Sequence, residues 1–145
     1  MDRTDLSTPA GDYLTPAFET ATVADAMRPG VFACPPDMPA RAIARIMATH
    51  HIHSVVVSGS EMGRWGVVSD LDLVRAAGGV DDLLAADLAD TDVPVTTPDT
   101  PLEEAARTMS ARGATHVVVE DPDTHDPVGM LSTLDVAGNL AWARG

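Results

Sequence analysis

Short apolar segments recur twice along the chain in the same order, separated by polar turns. Three consecutive valines occupy residues 55–57 and again residues 117–119, and β-branched runs of this length are typical of buried strands. An apolar stripe at helical spacing precedes each run, within residues 42–47 and 102–109. Each half of the chain therefore shows the same alternation of strand-like and helix-like patterns.

The two halves align when the sequence is shifted by 62 residues, with one residue inserted late in the second copy. The Pro-Asp pair at residues 36–37 matches that at 98–99, and residues 66–72 match 129–135 as Gly-x-x-Ser-x-x-Asp. Agreement at several separate segments is improbable by chance. We therefore predict two repeats, over residues 22–79 and 80–145, preceded by an irregular segment over residues 1–21.

Each repeat is predicted to run β-α-β-β-α. The first strands fall within residues 31–34 and 93–96, each followed by a proline or a threonine-proline pair. Asp37 is the expected cap of the next helix in the first copy, and Thr100 begins a capping-box pattern in the second. Polar turns at residues 58–63 and 121–127 predict hairpins that return the chain to helices beginning at Asp70 and Thr133.

Composition narrows the possible partners. The 145 residues carry a formal charge of −13, which disfavours nucleic acid as a partner. No apolar run approaches the roughly 20 residues that span a bilayer, and the acidic first residues do not resemble a signal peptide. The only cysteine, Cys34, cannot form an intramolecular disulfide. These features predict a cytoplasmic protein that does not insert into membranes.

The β-α-β-β-α order, the Pro-Asp station, a histidine near the start of the valine strand and the Gly-x-x-Ser-x-x-Asp ending together resemble the CBS domain. Two copies in tandem resemble a CBS pair, also called a Bateman module. The resemblance implies an α+β fold in which two tandem β-α-β-β-α repeats pack sheet to sheet with pseudo-two-fold symmetry. It also implies a homodimer and adenosine-containing ligands bound in the clefts between repeats.

The Gly-x-x-Ser-x-x-Asp stations carry the main functional expectation. The resemblance implies that Ser69 and Ser132 contact phosphate or ribose, and that Asp72 and Asp135 accept hydrogen bonds from the ribose hydroxyls. A carboxylate suits this role because it only accepts hydrogen bonds. The same spacing is also that of a capping box, in which the serine caps a helix and the acid bonds back to the serine N–H. One residue can serve both purposes.

Further contacts are implied at three other stations. The family often places His and Arg before the valine strand, pointing at phosphate, and ordinary strand-entry residues are the structural alternative there. The adenine is expected against the first strand, where plain core residues are the alternative, and an arginine one turn after Asp72 either reaches the ligand or is only solvated. The corresponding residues are His53, Ser54, Thr115 and His116 for phosphate, Ala33 and Val95 for adenine, and Arg75 on the helix.

Neither repeat has an arginine at the phosphate station, and the chain has no lysine. Negative charge beside the ligand repels each added phosphate. We therefore expect AMP, adenosine or S-adenosylmethionine to bind better than free ATP, with magnesium narrowing the difference. No resident cofactor is predicted.

The favoured hypothesis is a regulatory module that binds AMP, ADP, ATP or S-adenosylmethionine and signals through its dimer to an unidentified regulated protein. The first alternative is a dimerisation or docking module that binds no ligand. The second is a metal-dependent enzyme that uses His50, His51 and His53, although adjacent histidines do not converge on one ion. No nucleophile elbow, Walker loop or dinucleotide fingerprint occurs, so no catalytic residue is predicted.

Overall fold

The computed structural model describes residues 16–58 and 65–143. They form an α+β fold, which confirms the predicted fold class. The helices are α1 (Val23–Ala26), α2 (Ala40–His50), α3 (Asp70–Arg75), a 3₁₀ helix (Ala77–Asp82), α4 (Ala85–Leu88), α5 (Leu102–Arg112) and α6 (Thr133–Trp142). The strands are β1 (Arg28–Pro29), β2 (Ala33–Cys34), β3 (Ser54–Val57), β4 (Gly66–Ser69), β5 (Val95–Thr96), β6 (His116–Glu120) and β7 (Pro127–Ser132).

The chain divides into two compact units. The central unit, residues 31–93, contains a three-stranded sheet in the order β2-β3-β4, with β2 parallel to β3 and β3 antiparallel to β4. Its core is made by the inner faces of the sheet, α2 and α4. The buried residues of this core are Cys34, Ile43, Met47, Val55, Val57, Val68 and Ala85.

The terminal unit comprises the described residues up to Gly30 and those from Pro94 onward. Its sheet has the order β1-β7-β6-β5, in which β5 is parallel to β6 and the other pairs are antiparallel. Its buried core residues are Ala21, Val23, Leu102, Ala105, Met109, Val117, Val119 and Leu131. Both valine runs are thus buried strands and both hairpins form as the pattern predicts.

The compact units differ from the two sequence repeats, because the first helix of each repeat packs beside the strands of the other. The Ala24 N–H donates to the Pro98 carbonyl at 2.9 Å, and the Ala86 N–H donates to the Pro36 carbonyl at 2.9 Å. The Pro-Asp stations therefore hold the N-terminal ends of α1 and α4. The exchange is the same in both units, so the Pro-Asp pair occupies an equivalent place in each.

Both predicted caps of the long helices are wrong. α2 begins after Pro39 and α5 begins after Pro101, and neither has a side-chain cap hydrogen bond. The Thr100 hydroxyl instead shares a hydrogen bond with the Thr97 hydroxyl at 2.9 Å. Asp37 lies exposed in the turn before α2. Tertiary contacts replace local capping: the Ala40 N–H at the start of α2 donates to the Leu83 carbonyl at 3.0 Å, and the Leu102 N–H at the start of α5 donates to the Ala21 carbonyl at 2.9 Å.

Several predicted features lie at the edges of the described chain. Of the turn predicted at residues 58–63, only Ser58 is among the described residues. Residues 1–15 of the predicted irregular segment also lie outside the described residues. The turn predicted at residues 121–127 forms over residues 121–126 and connects β6 to β7, which begins at Pro127. Among the described helices, none combines the length and apolar character needed to cross a membrane.

Candidate ligand-binding site

The glycines that open the Gly-x-x-Ser-x-x-Asp motifs lie where another backbone segment crosses the strand. A Cβ on Gly129 would lie 2.6 Å from the Arg28 carbonyl oxygen, and a Cβ on Gly66 would lie 3.2 Å from the Asp90 carbonyl oxygen. Both motif glycines are therefore explained by close backbone packing. They do not by themselves indicate a ligand.

The serine and aspartate of each motif form a capping box on the following helix. The Ser69 N–H donates to Asp72 Oδ2 at 2.8 Å, and the Asp72 N–H donates to Ser69 Oγ at 3.2 Å. The same two bonds join Ser132 and Asp135 at 2.8 and 3.1 Å. The structural alternative for this spacing is confirmed. Because the box uses Oδ2 of each aspartate, it fixes the carboxylate in place and leaves Oδ1 outside the box.

Arg28 is a candidate site residue that the sequence did not indicate. It lies on β1 opposite Met130, and its Nε is 3.6 Å from Asp135 Oδ1. The Asp135 side chain is 11% exposed whereas that of Arg28 is 62% exposed, so the guanidinium group reaches solvent beside a largely covered carboxylate. The 62-residue shift aligns Arg28 with Asp90 of the other copy, but only the pairing of β1 with β7 brings Arg28 to Asp135.

The residues before the valine strands lie beside the motif serines in both units. Ser54 is the register partner of Ser69, and His116 is the register partner of Ser132. The His53 carbonyl accepts a hydrogen bond from the Asp70 N–H at 3.0 Å, so strand entry and helix start are joined. The structure therefore brings the predicted phosphate station and the Ser-x-x-Asp motif together within each unit.

The histidines of this station have different partners in the two units. His53 Nδ1 lies 2.8 Å from Asp70 Oδ2, and both side chains are more than half exposed. In the terminal unit, His116 Nδ1 lies 3.0 Å from Thr115 Oγ1. The helix-start position occupied by Asp70 is held by Thr133 there. The central unit thus has an additional carboxylate at the corresponding place.

Ala33 and Val95 are exposed, which rules out the core interpretation of both residues. They lie on β2 and β5, the edge strands of their sheets. The Val56 N–H donates to the Phe32 carbonyl at 2.8 Å, and the Val118 N–H donates to the Pro94 carbonyl at 3.0 Å. Because backbone groups alternate along a strand, those of Ala33 and Val95 point away from the sheet.

Arg75 and Gly138 occupy corresponding positions but differ in environment. Arg75 lies exposed in the last turn of α3, one turn after Asp72 as predicted. Space around Gly138 on α6 is open, with no heavy atom within 4 Å of a Cβ built there. The two candidate sites are therefore chemically different at this position.

Comparison with models of protein families assigns the chain to one family. The family model described as "CBS domain" matches residues 23–79 and again residues 85–141. The chain belongs to the CBS domain family. It contains a CBS pair, and CBS pair proteins are generally regulatory rather than catalytic. No curated protein sequence matches the chain.

Solved structures share the fold of this CBS pair. The CBS domain pair of protein MJ0100, in complex with 5′-methylthioadenosine and S-adenosyl-L-methionine, has a TM-score of 0.73 at 19% identity, covering 81% of this chain and 94% of that one. CBSX2 in complex with AMP has a TM-score of 0.68 at 24% identity, covering 80% and 92%. Hypoxic Response Protein I with two coordinated zinc ions has a TM-score of 0.66 at 24% identity, covering 81% and 98%.

The histidine cluster of the CBS pair is dispersed. His50 ends α2 with its ring centroid 4.5 Å from that of Phe32, and His51 follows in the left-handed conformation with φ of 55°. His53 instead contacts Asp70. Across residues 16–58 and 65–143, no three His, Cys, Asp or Glu side chains converge as metal ligands.

Proposed function

We propose that this CBS pair is a regulatory module, without catalytic activity, that binds adenosine-containing ligands such as AMP, ADP, ATP or S-adenosylmethionine. One site is assigned to each unit. The observation that carries the proposal is the repeated arrangement of an outward-facing edge strand, a strand-entry residue and a capped aspartate. Adenosine ligands in two solved CBS structures of the same fold support it.

The arrangement suits the three parts of such a ligand. The outward backbone groups of Ala33 and Val95 supply a donor and an acceptor for the adenine edge. The Oδ1 atoms of Asp72 and Asp135 accept hydrogen bonds from ribose hydroxyls, while the capping boxes hold those carboxylates in position. The hydroxyls and imidazoles at the strand entries face the remaining group of the ligand.

Ligand titration followed by calorimetry and thermal unfolding tests the proposal. We expect AMP or S-adenosylmethionine to stabilise the protein by about 2.7 kcal/mol at a ligand concentration of 100 times Kd. Asp72→Asn and Asp135→Asn should weaken binding, because an amide keeps a capping oxygen but loses the second acceptor. Asp87→Asn is the matched control: Asp87 accepts the Leu84 N–H at 2.9 Å in the same capping manner but lies outside the motif.

The opposite result would leave the docking alternative. If no adenosine ligand at millimolar concentration changes the unfolding temperature, and the motif variants behave like Asp87→Asn, the proposed ligand binding is wrong. A module that only docks a partner protein would then account for the fold. The predicted cytoplasmic location stays a prediction in either case.

We also propose that signalling passes through a homodimer. Leu71 and Leu134 occupy corresponding positions on α3 and α6, and their exposed fractions are 50% and 67%. Val74, one turn after Leu71, is 69% exposed and extends its apolar face, and Leu140 is a second exposed leucine on α6 at 64%, which supports an interaction surface on each helix. Sedimentation should show a dimer that Leu134→Glu weakens and that Ser110→Glu, at an exposed position of α5, does not. A monomeric parent protein would overturn the homodimer.

A further inference from the structure

The two proposed sites differ in charge at a position that the sheet register makes equivalent. Arg28 lies opposite Met130 in the terminal unit, and Asp90 forms an isolated bridge with Val67 in the central unit. Val67 and Met130 occupy the same position of the repeated motif, directly after its glycine. The backbone carbonyls of Arg28 and Asp90 also approach the corresponding motif glycines. An arginine in one site is therefore replaced by a carboxylate in the other.

In the terminal unit, Arg28 is placed to serve a ligand. Its Nε contacts Asp135 Oδ1 at 3.6 Å, and this contact does not include its two terminal nitrogens. A guanidinium group presents five N–H donors in a planar fork that matches phosphate oxygens. Because Asp135 is the proposed ribose acceptor, Arg28 stands beside the part of the ligand to which a 5′-phosphate is attached.

In the central unit, the same surroundings are acidic. Asp90 is exposed and its Oδ1 accepts the Asp92 N–H at 2.8 Å. Asp70, which contacts His53, begins α3 where the terminal unit has the neutral Thr133. The positions of Asp90 and Asp70 together carry two negative charges here, against one positive charge in the terminal unit. Arg75, whose counterpart in the other repeat is Gly138, offsets only one of the three units of charge by which the sites differ.

Building on the proposed function, we infer that the two sites select different classes of adenosine ligand. The terminal-unit site takes a ligand with a 5′-phosphate, held through Arg28. The central-unit site takes an adenosine ligand without an anionic group, such as a neutral or sulfonium thioether, because Asp90 and Asp70 repel phosphate. The repulsion expected from the chain's net charge therefore applies to one site and not to both.

Calorimetry on the full chain at about 50 mM salt, where surface charges are weakly screened, tests the inference. We expect one AMP per chain, bound about tenfold or more tightly than adenosine. Arg28→Gln should remove most of this preference, lowering AMP affinity about tenfold. Arg107→Gln is the matched control: it removes the same charge from α5 in the same unit, where Arg107 pairs with Glu103 at 3.7 Å.

The reciprocal variant tests the other site. Asp90→Arg should raise the stoichiometry of AMP from one to two per chain and weaken binding of S-adenosylmethionine. Two equal AMP sites in the parent protein, or an unchanged preference for AMP over adenosine in Arg28→Gln, would overturn the inference while leaving adenosine binding in place. Failure of every adenosine ligand to bind the parent would overturn the proposed function itself, so the two failures are distinguishable.

Discussion

Gly129→Ala tests whether the crossing of β1 over the motif glycine holds the terminal unit together. The new Cβ would lie 2.6 Å from the Arg28 carbonyl oxygen, so the backbone must separate by about 0.8 Å to reach an ordinary contact of 3.4 Å. Forcing a methyl group into a packed interior costs roughly 1–3 kcal/mol. Alanine also lowers the conformational entropy of the unfolded chain, which stabilises the folded state by only about 0.4–1 kcal/mol. We therefore expect a net loss in the free energy of unfolding.

Two glycine variants calibrate this loss in urea unfolding. Gly66→Ala should cost less than Gly129→Ala, because its closest contacts, at 3.1–3.3 Å, include side-chain atoms of Ala89 and Thr91. Gly138→Ala lies within helix α6 with open space around it, and should stabilise the protein by about 0.5–1 kcal/mol. If Gly129→Ala unfolds at the parent's urea concentration, the close approach of β1 does not exist in solution. AMP should also bind more weakly to Gly129→Ala than to the parent protein, since β1 carries Arg28.

Three further predictions concern individual side chains. Backbone N–H donors of Asp123 and Thr124 lower the pKa of Asp121. The ionised carboxylate therefore stabilises the fold fully above the ordinary pKa of an aspartate, and this contribution is lost as pH falls through the pKa of the folded state. Over that acid range, Asp121→Asn should lose less stability than the parent protein. Burial raises the pKa of the Cys34 thiol, so a thiol reagent at pH 8 should label it slowly in the native protein and rapidly in urea; fast native labelling would contradict the buried position. Buried Asn139 donates to the Pro16 carbonyl at 2.9 Å, so Asn139→Asp should lose about 1–3 kcal/mol at pH 7 and less near pH 4, where the buried acid is protonated; equal loss at both pH values would refute a charge effect.

Local sequence patterns predicted the elements of this CBS pair well where a single physical cause acts. β-branched valines pack into strands, and the Ser-x-x-Asp spacing satisfies free N–H groups at a helix start, so both features appear as expected. Prediction failed where a distant segment supplies the partner. Thr100 and Asp37 do not cap α5 and α2, because distant carbonyls, those of Ala21 and Leu83, accept the first N–H of each helix instead.

The candidate site shows the same division. Ser69, Asp72, Ser132 and Asp135 are found by motif because their spacing is local. Arg28 was missed because it lies about 100 residues from Asp135 in sequence, and only the pairing of β1 with β7 brings the two together.

The sequence by itself determined the repeat, the alternation of strands and helices and the positions of the capped aspartates, because these follow from periodicity and from hydrogen bonds between near neighbours. The tertiary structure alone decided which helix packs in which unit and which charged residue lies beside each Gly-x-x-Ser-x-x-Asp motif. Those outcomes depend on the antiparallel register at the sheet edge, where Arg28 meets Met130 and Asp90 meets Val67. A single register thus places opposite charges beside two otherwise matching motifs.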